Sequence, residues 1–159
     1  MYRFGAASLK EMTGVHPGLV RVWNHAISIS LVDFAVHDGL RTLAEQTEYV
    51  RAGVSTTMNS MHLPQPDGFG HASDLVPYVN GKLRWEWPPI YQIAEAVRAS
   101  AVFQDVRIVW GGVWDRTLND LPSGANNLEK EVQAYVSRRR RLGKRKVFID
   151  GPHFQLGKV

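Results

Sequence analysis

The chain predicts an α+β domain in which helices pack on a small antiparallel sheet. Three observations carry this expectation. Segments with helical spacing of apolar residues dominate the first third, and strand-like runs mix in later. Asn80-Gly81 separates two such runs and signals an antiparallel hairpin. No internal repeat or clear boundary marks a second domain, and 159 residues with 44% hydrophobic content suffice for one core.

Ser8-Leu9-Lys10-Glu11 has the Ser-x-x-Glu form of a capping box and predicts a short helix that Gly14 ends. His16-Pro17 opens a second helix, where the missing proline N–H costs nothing. Leu19, Val20, Trp23, Ile27 and Leu31 give that helix one apolar face. Phe34-Ala35-Val36 reads as a strand and residues 37–41 as a loop. Thr42-Leu43-Ala44-Glu45 is a second capping box, starting a helix that Gly53 terminates.

Residues 54–71 hold few periodic apolar positions and read as a long loop, which in compact domains is commonly functional. Residues 74–78 and 82–85 form the arms of the hairpin. Pro88-Pro89 leads into a helix through Ile90, Ile93, Ala94 and Val97. Residues 106–110 and 147–149 read as strands, the second leading straight into Asp150 and His153. Between them, Asn126 as cap and Glu129 reaching back start an amphipathic helix. It runs along Leu128, Val132, Tyr135 or Val136, and Leu142, and ends in a basic run.

The chain has no cysteine, which excludes a disulfide framework and a thiolate metal site. Any metal must be held by His, Asp or Glu, a donor set that favours a catalytic zinc over a structural one. The net charge of +4 belongs to one segment: Arg138 to Lys146 holds seven cations and no anion, so the remainder is net acidic. That segment is either a solvated helix end or a contact for an anionic envelope surface. No basic stretch followed by an unbroken apolar run opens the chain, so no signal peptide is expected. The most apolar stretch, residues 26–36, is interrupted by Ser28, Ser30 and Asp33 and is too short to span a bilayer.

Two stretches carry the chemistry. Ser60-Met61-His62 runs on to Gly70-His71-Ala72-Ser73-Asp74, and Asp150-Gly151-Pro152-His153-Phe154 lies near the C-terminus. They offer two imidazoles and one carboxylate as metal ligands, with a second carboxylate, Asp150, three residues before the last imidazole. Three protein ligands, an open fourth position and a carboxylate to move a proton make the inventory of a zinc hydrolase.

Ser60-x-His62, Gly70-x-Ala72-x-Asp74 and Asp150-x-x-His153 together resemble the signature of zinc-dependent peptidoglycan peptidases. That group contains D-alanyl-D-alanine carboxypeptidases, D-Ala-D-Ala dipeptidases and phage L-alanyl-D-glutamate endopeptidases, and shares its fold with hedgehog signalling domains. Residues 14–20, 38–42, 110–112 and 152–156 are similar to the phage branch in particular. The resemblance implies that His62, Asp74 and His153 bind one Zn2+ and that Asp150 is the general base. It implies that Arg41 stabilises the developing oxyanion, and that Ser60 and Gln46 help hold substrate.

Two departures from the family pattern stand out. The family usually has two residues between the first His and the Gly, where this chain has Leu63 to Phe69. If this longer loop shifts the alignment, His71 becomes the rival ligand to His62. The second departure is residues 115–146, where the family often passes directly to the last strand.

The resemblance implies a phage or prophage endolysin, active as a monomer on the L-Ala-D-Glu bond of the peptidoglycan stem peptide, with no nucleic-acid partner. It would wait in the host cytoplasm until a holin opens a route to the wall. A D-alanyl-D-alanine carboxypeptidase on the same scaffold is the nearest alternative. A non-enzymatic binder of nucleic acid or envelope polymer, led by the 138–146 cluster, is a more distant one.

Overall fold

The computed structural model describes residues 1–158. The elements are α1 (Ala6–Glu11), α2 (Pro17–Ile29), β1 (Phe34–Asp38), α3 (Leu43–Arg51), β2 (Ala72–Val79) and β3 (Lys82–Leu83). They continue as α4 (Trp87–Gln104), β4 (Ile108–Trp110), β5 (Val113–Thr117), a 3₁₀ turn at Leu118–Asp120, α5 (Ala125–Arg141) and β6 (His153–Leu156). The α+β class and the antiparallel sheet are as expected. Strand order is β1-β2-β6-β4-β5, with β3 paired to β2, and every pairing is antiparallel.

Alternation along β6 sends its side chains to opposite faces of the sheet. Phe154 is fully buried and stacks on Trp110 at 6.2 Å, while Trp23 meets it edge-on at 6.0 Å. This aromatic trio joins α2 to β6 and its neighbour β4, and α2 and α4 pack together over the same face. The indole N–H of Trp23 donates to Ser73 Oγ at 3.1 Å, which satisfies a buried donor and pins β2 beside Asp74. Helices therefore cover one side of the sheet, and His153 and Gln155 face the other.

Local signals succeed where the chain satisfies its own backbone. Pro17 stands at the first position of α2, and His16 caps it through Nδ1. Thr42 and Glu45 form the reciprocal capping box of α3. Asn80 and Gly81 take φ of 52° and 74°, the left-handed pair that a tight hairpin needs.

Other expectations fail, each for a physical reason. Ser8 caps nothing: α1 begins at Ala6, and the buried Ser8 hydroxyl accepts the Val36 N–H at 3.1 Å. Residues 147–149 are not a strand; β6 begins at His153 itself. The backbone before it is taken up by a turn, in which the Asp150 N–H donates to Gly111 O and the His153 N–H to Asp150 O. Gly111 permits this approach, since a Cβ there would collide with the Asp150 carbonyl oxygen. Asp38 and His37 belong to β1 and not to a loop. Leu31 lies past the end of α2 and is 79% exposed.

The segment 115–146 begins as the unexpected β5 and becomes α5, whose N-cap is Gly124 and not Asn126. Leu128, Val132 and Tyr135 are buried in the common core, whereas Leu142 is 72% exposed. Ion pairs Arg116–Glu131 and Arg138–Asp115, both at 3.0 Å, fasten α5 to β5.

Candidate metal centre

Asp74 and His153 are direct partners across β2 and β6, so the antiparallel register delivers both side chains to the uncovered face of the sheet. His62 arrives from the long loop. Its carbonyl accepts the Arg41 N–H at 2.8 Å, and its Nδ1 lies 2.8 Å from Gly39 O. A carbonyl can only accept, so Nδ1 carries the proton and Nε2 presents its lone pair. Gly39 fits because a Cβ there would collide with the Glu11 carbonyl oxygen.

Asp74 Oδ1 stands 3.4 Å from both His62 Nε2 and His153 Nδ1. One donor atom from each residue lies within 4.8 Å of the others, forming a group that could hold a metal ion. Asp74 Oδ1 is buried and has no hydrogen-bond partner. A buried carboxylate oxygen is costly to leave unpaired. Two imidazole nitrogens and that orphaned oxygen, gathered round one point, fit a divalent cation and leave a coordination position free.

The site is strongly polarised. Burial works against charge on Asp74, yet the adjacent His153 and His62 outweigh it and hold the carboxyl well below its usual range. Burial also opposes charge on His153, but Asp74 prevails and raises the imidazole. Asp150 lines the same cleft and is raised by burial and by the Asp74 charge. It therefore sits in the cleft with an enhanced tendency to hold a proton.

Arg41 is only 7% exposed and lines the cleft, with Nη2 3.9 Å from Asp74 Oδ2. Asp38 accepts from its Nε at 3.0 Å and from its Nη2, and Gln46 Oε1 accepts from Nη1 at 2.6 Å. Tyr49 lies under the guanidinium at 4.5 Å. Gln46 is completely buried, and its amide nitrogen is spent on Ser55 Oγ and the Thr57 carbonyl. Its path to substrate thus runs through Arg41. Ser60 lies on the cleft wall, where its hydroxyl accepts the His62 N–H at 3.2 Å.

The longer loop leaves His62 in place because it closes on itself. Gln65 donates to Phe69 O, Gly68 to Gln65 O, and Pro64 bridges to Gly70. His71 turns away from the metal group, 2.7 Å from Asp67 and against His16. Sequence reasoning assigned no role to Asp38, Tyr49 or Gln155. Asp38 and Gln155 lie inside the resembling stretches 38–42 and 152–156, which was the signal available for them, and Tyr49 carried none.

The cleft beside the metal group has a volume of about 420 Å³. A neighbouring cavity of about 590 Å³ shares Met61, Trp114 and Gln155 with it, so the two form one groove across the open sheet face. Trp114 is half-buried and packs 5.3 Å from His153 and 5.8 Å from Phe148, as cleft wall.

Residues 1–131 match the family described as phage L-alanyl-D-glutamate peptidase. The L-alanyl-D-glutamate peptidase of Escherichia phage T5 is 27% identical over 118 residues, covering 72% of this chain and 82% of that protein. The crystal structure of the Serratia marcescens L-Ala D-Glu endopeptidase ChiX superposes with a TM-score of 0.67 at 36% identity, covering 98% of this chain and 90% of that one. That superposition covers 98% of this chain and so reaches past residue 131, where the family match ends. With the fold, the metal group and these relatives in agreement, the chain belongs to the phage L-alanyl-D-glutamate peptidase family.

Proposed function

We propose that this protein is an endolysin that hydrolyses the L-Ala-D-Glu bond of the peptidoglycan stem peptide, using one zinc ion held by His62, Asp74 and His153. The observation that carries the reading is the orphaned Asp74 oxygen, 3.4 Å from each of two imidazole nitrogens, in a cleft shared with the half-buried Asp150 carboxyl and the buried Arg41 guanidinium. Its relatives are peptidases named for that bond. Neutral imidazoles with one carboxylate suit zinc well.

Zinc, when bound, supplies Lewis-acid polarisation and lowers the pKa of water to about 7. The chain's own residues divide the rest. Asp150 accepts the proton of the attacking water and passes it to the departing amine, a task helped by its raised pKa. Arg41, fixed by Asp38 and Gln46, offers a preorganised cation to the scissile carbonyl oxygen. Ser60 borders the peptide on the cleft wall.

No helix among the described residues is long and apolar enough to cross a membrane; on this reading another agent, a holin, releases the enzyme to the wall. At the end of α5, Arg139, Arg140, Arg141, Lys144, Arg145 and Lys146 form no ion pair among the described residues, and Leu142 protrudes among them. That combination supports contact with the anionic envelope surface.

Mass spectrometry of digested muropeptides tests the bond assignment. Fragments split between L-Ala and D-Glu are expected, with full loss of cleavage under a chelator. Release of a terminal D-Ala alone would instead establish the carboxypeptidase alternative.

A further inference from the structure

We propose that Gln155 is a positioning residue for the metal centre, acting through the far side of the His153 ring. The inference rests on the reading that His62, Asp74 and His153 hold zinc. His153 turns Nδ1, and not Nε2, towards Asp74 and His62. A ring that ligates through Nδ1 must carry its proton on Nε2. That Nε2 lies 2.9 Å from Gln155 Oε1, inside the range of a good hydrogen bond.

The two metal-facing imidazoles are therefore oriented in different ways. His62 is fixed from behind by the Gly39 carbonyl, part of the backbone that no substitution removes. His153 is fixed by a side chain, and by one supplied from its own strand. Position 155 shares the open face with position 153, so strand geometry alone sets the carboxamide beside the ring. A neutral acceptor there fixes the tautomer and ring angle without adding charge to a site already holding Asp74 and Asp150. Gln155 also lines both the metal cleft and the neighbouring cavity, so the same carboxamide stands at their junction.

Zinc affinity by chelator competition is the test, with Gln155→Leu and Gln155→Glu compared with wild type. Gln155→Leu is expected to bind zinc 10–100-fold more weakly. Gln155→Glu keeps an acceptor and is expected to hold zinc at least as well as wild type. In zinc-loaded wild type the His153 Nε2–H is expected as an exchange-protected imidazole proton by NMR, and Gln155→Leu is expected to lose that protection.

Equal zinc affinity of Gln155→Leu and wild type would overturn the proposal. So would a Gln155→Glu variant as weak as Gln155→Leu, since that pattern marks packing and not an acceptor. If Gln155→Leu fails to fold, the wild-type proton decides alone, and an unprotected Nε2–H overturns the proposal. A wild-type protein that takes up no zinc would defeat the metal reading itself, a result distinct from all of these.

Discussion

Asp38 holds the Arg41 guanidinium through a single carboxylate oxygen, which accepts from Nε and Nη2 together. Asp38 and Arg41 are both buried, so removing Asp38 takes away the nearest counter-charge of a buried guanidinium and leaves it only Asp74, at 3.9 Å. Asp38→Ala is expected to cost about 3–5 kcal/mol of folding stability, read as a lower denaturation midpoint. Arg41→Lys cannot reproduce the fork that meets Asp38 and Gln46 at once. Its kcat on purified sacculi is expected to fall by about 10²–10³ while zinc content stays at one ion. Unchanged kcat would remove Arg41 from the chemistry.

Asp150 and His153 separate base from ligand. Asp150→Asn is expected to keep zinc and the folded CD spectrum but to lose turnover by about 10²-fold or more. His153→Ala is expected to lose zinc as well, by elemental analysis after dialysis. An active Asp150→Asn enzyme would sink the base assignment.

Acidity acts on the centre in two opposed ways. In the metal-free protein the raised His153 contributes stability below its ordinary pKa of 6.5, lost as pH rises through the raised value. The lowered Asp74 contributes stability above its ordinary 3.8, lost on acidification through the depressed value. Their pairing thus supports the chelator-stripped fold most between these limits. Zinc needs neutral rings, so the melting-temperature rise that zinc confers is expected to grow from about pH 6 to about pH 8. A rise independent of pH would mean that the imidazoles are not ligands. Asp74→Asn is expected to flatten both trends in parallel melts.

The free cations at the end of α5 predict salt-sensitive binding to anionic vesicles. Sedimentation with phosphatidylglycerol vesicles is expected, and none with phosphatidylcholine. Replacing Arg139, Arg140 and Arg141 with Gln is expected to abolish it without changing hydrolysis of soluble muropeptides. Equal sedimentation of the triple variant would return this helix end to a merely solvated role.

The residues that the sequence exposed are those whose role is local or chemically scarce. Thr42 with Glu45, and Asn80 with Gly81, act on their own backbone, so their pattern suffices. The imidazoles and carboxylates of the site stood out through the combined motifs Ser60-x-His62, Gly70-x-Ala72-x-Asp74 and Asp150-x-x-His153 and the family they resemble. Ser8 misled because a tertiary partner, the Val36 N–H, claims its hydroxyl. The start of β6 was illegible for a similar reason: its pairing depends on β2 and β4, distant in the chain. Gln46 matched a substrate-holding position, but the fold buries it against Arg41 and spends its amide nitrogen on Ser55 and Thr57.

The alternation of β6 makes its alignment an all-or-nothing matter. Sliding that strand by one residue would put Phe154 in the groove and the His153 imidazole among the tryptophans. No half-built centre is compatible with a finished core, because one short strand completes both. Zinc uptake during refolding is therefore expected to trail helix formation and to coincide with the last long-range pairing, which makes the metal a reporter of chain maturation as well as a reagent.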